Sequence, residues 1–135
     1  MFSRISAVVL FVRDLETCSA FYHDKIGLEV VFRDAESTAF KLDGQDFALV
    51  AINNAAGMVR VDIAEFMSAD GKAHPVMLCA DADNVDAVYE ALRTNGVAFT
   101  QPPVDQHWGY RAAYFRDPEG NFWEIRQPIP RPAQP

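Results

Sequence analysis

The chain has 135 residues, half of them hydrophobic, and its 12 basic and 19 acidic side chains leave a formal charge of −7. That length suits one domain burying about two-thirds of its unfolded surface, and the acidic balance argues against nucleic acid or an anionic membrane as partner. No apolar run approaches the roughly 20 residues of a membrane span. The N-terminus has no cleavage pattern, and Cys18 and Cys79 are too few for a disulfide framework. The expectation is a cytoplasmic protein with both cysteines as small core residues.

Ile5 to Val12 is nearly continuous in apolar residues and reads as a strand. Asp14 stands where a helix N-cap belongs. Leu15, Cys18, Phe21 or Tyr22, and Ile26 follow at helical spacing until Gly27 stops the helix. Leu28–Phe32, Thr38–Leu42 and Phe47–Ile52 are three further strands, the last two joined by the turn Asp43-Gly44-Gln45-Asp46. The order is β-α-β-β-β. A linker, 53–74, follows, turn-rich at Asn53-Asn54 and at Ala69 to Lys72, with apolar residues of no single period between. It reads as a segment that packs against something, a pocket wall or a partner subunit, with a plain surface loop as the alternative.

The second half repeats the first. Val76–Ala80 is a strand, Asp83 is the next N-cap candidate, and Val85, Val88, Tyr89 and Leu92 form a helical face that Asn95-Gly96 ends. Asp14 to Gly27 and Asp83 to Gly96 have the same separation of thirteen residues, which predicts helices of equal length. Val97–Thr100 is a short strand. A hairpin closes the unit, its two β-prone runs joined by the five-residue turn Asp117-Pro118-Glu119-Gly120-Asn121. Two tandem units of one pattern are an internal duplication. The tail, 128–135, is proline-rich and reads as an extended end. One residue stands out: Glu124, a carboxylate among Phe122, Trp123 and Ile125. A charge in a strand that looks buried on both faces must be paired, face a cavity or bind something.

The duplicated order, with VVLFVRDLETCSAFYHDKIGLEV near the start and FRDPEGNFWEI near the end, resembles the vicinal oxygen chelate superfamily over roughly residues 4–127. That superfamily groups glyoxalase I, extradiol dioxygenases, and fosfomycin and bleomycin resistance proteins. The resemblance implies one domain over 1–127, with module one at about 4–52 and module two at 75–127. It implies an α+β fold of two tandem βαβββ modules, forming a cupped, mostly antiparallel, eight-stranded half-barrel pair with a cavity inside. Catalytic relatives hold a divalent metal there with four strand residues, in glyoxalase I His or Gln and Glu, then His and Glu. Carried over, these positions fall on Ser6, Ala48, Met77 and Glu124. Only Glu124 is a ligand type, and a divalent cation needs several oxygen or nitrogen donors. The expectation is no metal and no cofactor. A shift of one residue would bring His74 nearer the fifth strand, although Pro75 follows it and His74 then ends the linker.

Period-two alternation assigns faces. With Glu124 turned to the cavity, Phe122 and Arg126 share its face, while Trp123 and Ile125 pack under the helices. Ser6, Val8, Leu10 and Val12 are expected on the cavity face of the first strand, Ala48, Val50 and Ile52 on the fourth, and Met77, Cys79 and Asp81 on the fifth. The result is an apolar pocket with a few polar points, the usual composition of a small-molecule site. Arg126 could alternatively ion-pair Glu124 with no ligand involved. Trp108-Gly109-Tyr110-Arg111 resembles the bleomycin-resistance branch. There Trp108 could stack on a planar ligand, and Arg111 could bind a carboxylate or brace Glu124 or Asp117. His23 and His107 are expected to be exposed and uninvolved.

The candidate ligand-binding set is therefore Ser6, Val8, Ala48, Val50, Met77, Trp108, Arg111, Phe122, Glu124 and Arg126. The resemblance supports a metal-free binder of an aromatic or amphipathic molecule, of the antibiotic-sequestration kind, for which the acidic charge would suit a cationic drug. The alternative is a lyase, isomerase or dioxygenase of the same superfamily, using Glu124 as acid, base or metal ligand. A homodimer is the expected assembly.

Overall fold

The computed structural model describes residues 5–60, 62–66 and 76–130. The chain forms two compact units, Met1–His74 and Pro75–Pro135. Each carries its own mixed four-stranded sheet.

Unit one contains β1 (Ala7–Val12), α1 (Leu15–Ala20), β2 (Val30–Arg33), β3 (Ser37–Leu42), β4 (Gln45–Ala51) and α2 (Ile52–Val59), with a 3-10 turn at Ile63–Phe66. The strand order is β1-β4-β3-β2. β1 runs parallel to β4, and the other two pairs are antiparallel. Asp14 caps α1 as expected, accepting hydrogen bonds from the backbone N–H and hydroxyl of Thr17 at 3.0 and 2.8 Å. The helix widens into a π-helical turn at Phe21–Lys25, closed by a bond from Ile26 N–H to the Phe21 carbonyl, before Gly27 turns the chain at φ 90°. This segment buries Tyr22 completely against Phe40 and Phe47, with ring centroids 5.8 and 5.2 Å away. Leu10, Val12, Cys18 and Leu49 complete that core, and Ser19 and Thr38 satisfy one another inside it at 2.8 Å.

Unit two contains β5 (Met77–Asp81), α3 (Val85–Thr94), β6 (Phe99–Asp105), β7 (Tyr110–Arg116) and β8 (Phe122–Pro128). Its order, β5-β8-β7-β6, repeats that of unit one position for position. α3 rests Val85 and Leu92 on the sheet, and Tyr89 packs edge-on against Phe99 at 4.7 Å. Phe99 meets Phe115, which stacks on Trp123 at 6.2 Å. Trp123 and Ile125 therefore lie on the helix side, as period-two alternation requires.

Several expectations need correction. The cap of α3 is Asn84, whose side chain accepts from Ala87 N–H at 3.0 Å, and not Asp83. With the π turn added to α1, the two helical segments also differ in form. Asn53-Asn54, expected as a turn, lie in α2, which packs on β1 and β4 through buried Ala55 and Ala56. β6 extends to Asp105 because Pro102 and Pro103 sit on the sheet edge, where register breaks and a missing N–H costs little. β8 reaches Pro128, which pairs with Tyr110, so the extended end starts later than residue 128. The tail from residue 131, the Ala69–Lys72 turn and His74 lie outside the described residues.

Candidate functional site

The five-residue turn fixes the geometry of the closing hairpin. Asp117 Oδ1 accepts the backbone N–H groups of Glu119 and Asn121, each at 2.9 Å, and its Oδ2 accepts the Asn121 side-chain amide at 3.0 Å. Asn121 Oδ1 in turn accepts Val76 N–H at 3.2 Å, tying the turn to β5. Gly120 takes φ 88°, a value an L side chain would resist. With the turn locked, Arg116 faces Phe122 and Tyr114 faces Glu124 across the ladder, while Cys79 of β5 flanks Glu124 on the other side.

On the face away from α3, Glu124 is only 5% exposed, and the Tyr114 hydroxyl donates to its Oε2 at 2.5 Å. Arg126 Nη1 lies 3.8 Å from Oε1, while its Nε donates to Asp81 at 3.4 Å and its guanidinium covers the Tyr110 ring. Burial, and after it the bond to Glu124, push the Tyr114 phenol up to about 12. Burial and then Glu124 also push the Cys79 thiol up, which keeps it protonated at neutral pH and unsuited to nucleophilic attack. Cys79 is exposed on this face and not a core residue, whereas Cys18 is buried as expected.

An open cavity of roughly 610 Å³ lies on this face of unit two. Its apolar walls are Met77 and Phe122, and Thr100, Gln101 and Gln106 supply neutral hydrogen-bonding groups. Tyr114 and Arg116 complete the lining. Glu124 is not a lining residue, and its link to the cavity is the hydrogen bond from Tyr114, which is one. Sequence reasoning singled out Glu124 and missed Tyr114. The signal was present, because a five-residue turn centred on residue 119 places 114 opposite 124.

The remaining candidates are dispersed. Arg111 does not brace Glu124 or Asp117. It sits on the helix side of β7, bidentate to Asp86 at 2.8 and 2.8 Å and bonded to Asp105 at 3.1 Å. The guanidinium holds the Asp86 carboxyl below the usual aspartate range. Trp108 is 50% exposed in the β6–β7 turn, edge-on to His107. His23 bonds the Leu28 carbonyl through Nδ1 at 3.0 Å.

In unit one, register overturns the expected faces of the first strand. Val8, Leu10 and Val12 pair with Phe47, Leu49 and Ala51, and therefore lie on the helix-side core face. Val9 is the residue that pairs with Ala48, as Cys79 does with Glu124, and Ala7 takes the place corresponding to Met77. The carried-over first-strand position moves from Ser6, which precedes β1, to Ala7. Val50 keeps the face of Ala48, whereas Ile52 has left the sheet for α2. A notch of roughly 270 Å³ is lined by residues of both faces, Ala7, Val9 and Ala48 with Val8 and Phe47, so Val8 still reaches a cavity wall.

These residues do not fit the superfamily's four-ligand metal. Neither Ser6 nor Ala7, with Ala48 and Met77, supplies a donor set to join Glu124. Among the described residues no group of three His, Cys, Asp or Glu side chains could hold a metal ion. No described helix is long and apolar enough to cross a membrane.

Comparison with known proteins agrees with the fold. A glyoxalase/bleomycin resistance protein/dioxygenase from Nocardioides superposes with a TM-score of 0.80 at 29% identity, covering 99% of this chain and 91% of its own. A lactoylglutathione lyase from Agrobacterium tumefaciens gives 0.72 at 26% identity over 93% and 94%. The uncharacterised protein YraH of Bacillus subtilis is 27% identical over 90% of this chain and 96% of its own. The profile of the Glyoxalase/Bleomycin resistance protein/Dioxygenase superfamily matches residues 4–125, and the chain belongs to that superfamily.

Proposed function

We propose that this protein binds a small aromatic or amphipathic organic molecule in the unit-two cavity, without the metal that catalytic relatives use. The observation that carries this reading is Tyr114, whose phenol is held by buried Glu124 at the wall of an open cavity of roughly 610 Å³. Because the hydroxyl proton is committed to Glu124, the phenolic oxygen is left as an acceptor, for Gln106 beside it and for an occupant of the cavity. Met77 and Phe122 offer apolar surface beside it, and the glutamines and Thr100 offer orientation. The expected assembly is a cytoplasmic homodimer. Val31 and Phe32, 58% and 55% exposed on β2, support self-association, and a monomer by light scattering would refute it.

The pairing of Tyr114 with a buried carboxylate favours a second reading, proton transfer to a bound substrate through the phenol. Against it, Glu124 Oε2 is already occupied, and the raised phenol stays protonated near neutral pH. A thermal-shift survey of small molecules on chelator-treated protein tests the binding reading, because a cavity ligand stabilises the fold in proportion to ln(1 + [L]/Kd). A ligand that stabilises the protein without being turned over supports binding. Turnover lost in Tyr114→Phe would support the second reading instead.

A further inference from the structure

We infer that the molecule bound in the unit-two cavity carries an anionic group, a carboxylate or its equivalent, which Arg116 receives. The inference rests on the binding reading above and assigns the chemistry of its ligand.

Arg116 is the one ionised side chain among the described residues that line the cavity. The neighbouring arginines of unit two are already committed. Arg93 meets Glu90 at 3.4 Å, Arg111 holds Asp86 and Asp105, and Arg126 holds Asp81 and approaches Glu124. Arg116 has no carboxylate partner among the described residues. Its guanidinium lies over the Phe122 ring, 4.7 Å from the centroid.

Stacking on an aromatic face leaves the edge of the guanidinium, with its fork of N–H donors, free to meet a planar anion in two parallel bonds. Glu124, on the same face of β8 as Phe122, is not a lining residue and is already engaged by the phenol and by Arg126. Arg116 is therefore the charge that the described lining presents to an occupant, although the whole chain carries −7. Overall charge governs the approach of a ligand from a distance, and salt screens it beyond about 10 Å. Contact selectivity is set by the group that touches the ligand. The acidic balance pointed to a cationic ligand, and the lining residues point the other way. The occupant is then a carboxylate on a short aromatic or alkyl body, anion at Arg116 and body along Phe122 and Met77. A hydrogen-bond donor on that body could reach the Tyr114 oxygen.

Three probes of one skeleton test this by calorimetry: 3-phenylpropionate, 3-phenylpropylamine and 3-phenylpropanol. The carboxylate is expected to bind at least about tenfold more tightly than the amine or the alcohol. Arg116→Gln should bring the carboxylate to the alcohol's level and leave the alcohol unchanged, and Arg116→Lys should restore part of the difference. An amine or alcohol that binds as tightly as the carboxylate overturns the inference while leaving the cavity a binding site. So does a carboxylate preference that survives Arg116→Gln. If none of the three binds, the cavity reading itself fails and the anion assignment falls with it.

Discussion

The Tyr114 hydroxyl and the Glu124 carboxylate, opposite one another on β7 and β8, share a hydrogen bond of 2.5 Å. Glu124 is almost fully buried, so this bond and the Arg126 guanidinium at 3.8 Å are what offset its desolvation. Tyr114→Phe removes the donor without changing ring volume. It should destabilise the fold by about 1–3 kcal/mol in denaturant unfolding, the cost of leaving a buried acceptor unpaired. Glu124→Gln, which keeps an acceptor for the hydroxyl, should cost less than Tyr114→Phe.

The same bond sets an alkaline dependence. The Tyr114 phenol is raised to about 12 in the folded protein, above the ordinary tyrosine value of 10.0. A group raised by folding contributes stability that is complete below its unfolded value and lost as pH rises through the folded one. Wild-type stability should therefore fall between about pH 10 and 12 more steeply than that of Tyr114→Phe. Ultraviolet titration comparing the two proteins should show a high-pH tyrosine transition in the wild type that Tyr114→Phe lacks.

Arg111 and Asp86 predict behaviour at the acid end. The Arg111 hydrogen bonds lower the Asp86 carboxyl, so its contribution is present above the ordinary aspartate range and lost as pH falls through the depressed value. Asp86→Asn should lower the melting temperature at neutral pH and leave it nearly unchanged in strong acid. Because the pair is solvent-exposed, high salt should shrink the difference. The cavity on the opposite face of the sheet should bind its ligand as before.

Phe115 is 1% exposed between Phe99 and Trp123. Phe115→Ala should cost about 3–5 kcal/mol by equilibrium unfolding, the usual range for a large aromatic removed from a packed core. A loss below about 1 kcal/mol would mean that the aromatic stack under α3 carries little of the unit's stability.

Much of this was readable in the residues. The repeat of capped helix, glycine stop and hairpin fixed the order of elements, since Asp14, Gly27, Gly96 and Asp117 each perform a local task through bonds or backbone angles within their own segment. What depended on pairing between strands was harder to read. Alternation gives relative faces within a strand, but it does not say which face of β1 matches which face of β4. Only the ladder, Val9 with Ala48, moved Val8 to the core side. Arg111 was misjudged for a similar reason: its partner Asp86 lies 25 residues earlier, on a helix whose position no local pattern gives. Tyr114 could have been found by counting outward from the turn. Arg116 could not, because its availability follows from the carboxylates that its neighbours occupy.

The central claim is that Tyr114, held by Glu124, organises a small-molecule site that works without the superfamily's metal. It is tested most directly by calorimetry with a ligand found by thermal shift, on chelator-treated wild type and on Tyr114→Phe. Affinity unchanged by chelation and weakened about tenfold by Tyr114→Phe, the loss of one hydrogen bond near a charge, is the predicted result. Binding that disappears on chelation and returns with one equivalent of a divalent metal, or affinity indifferent to Tyr114, would contradict it.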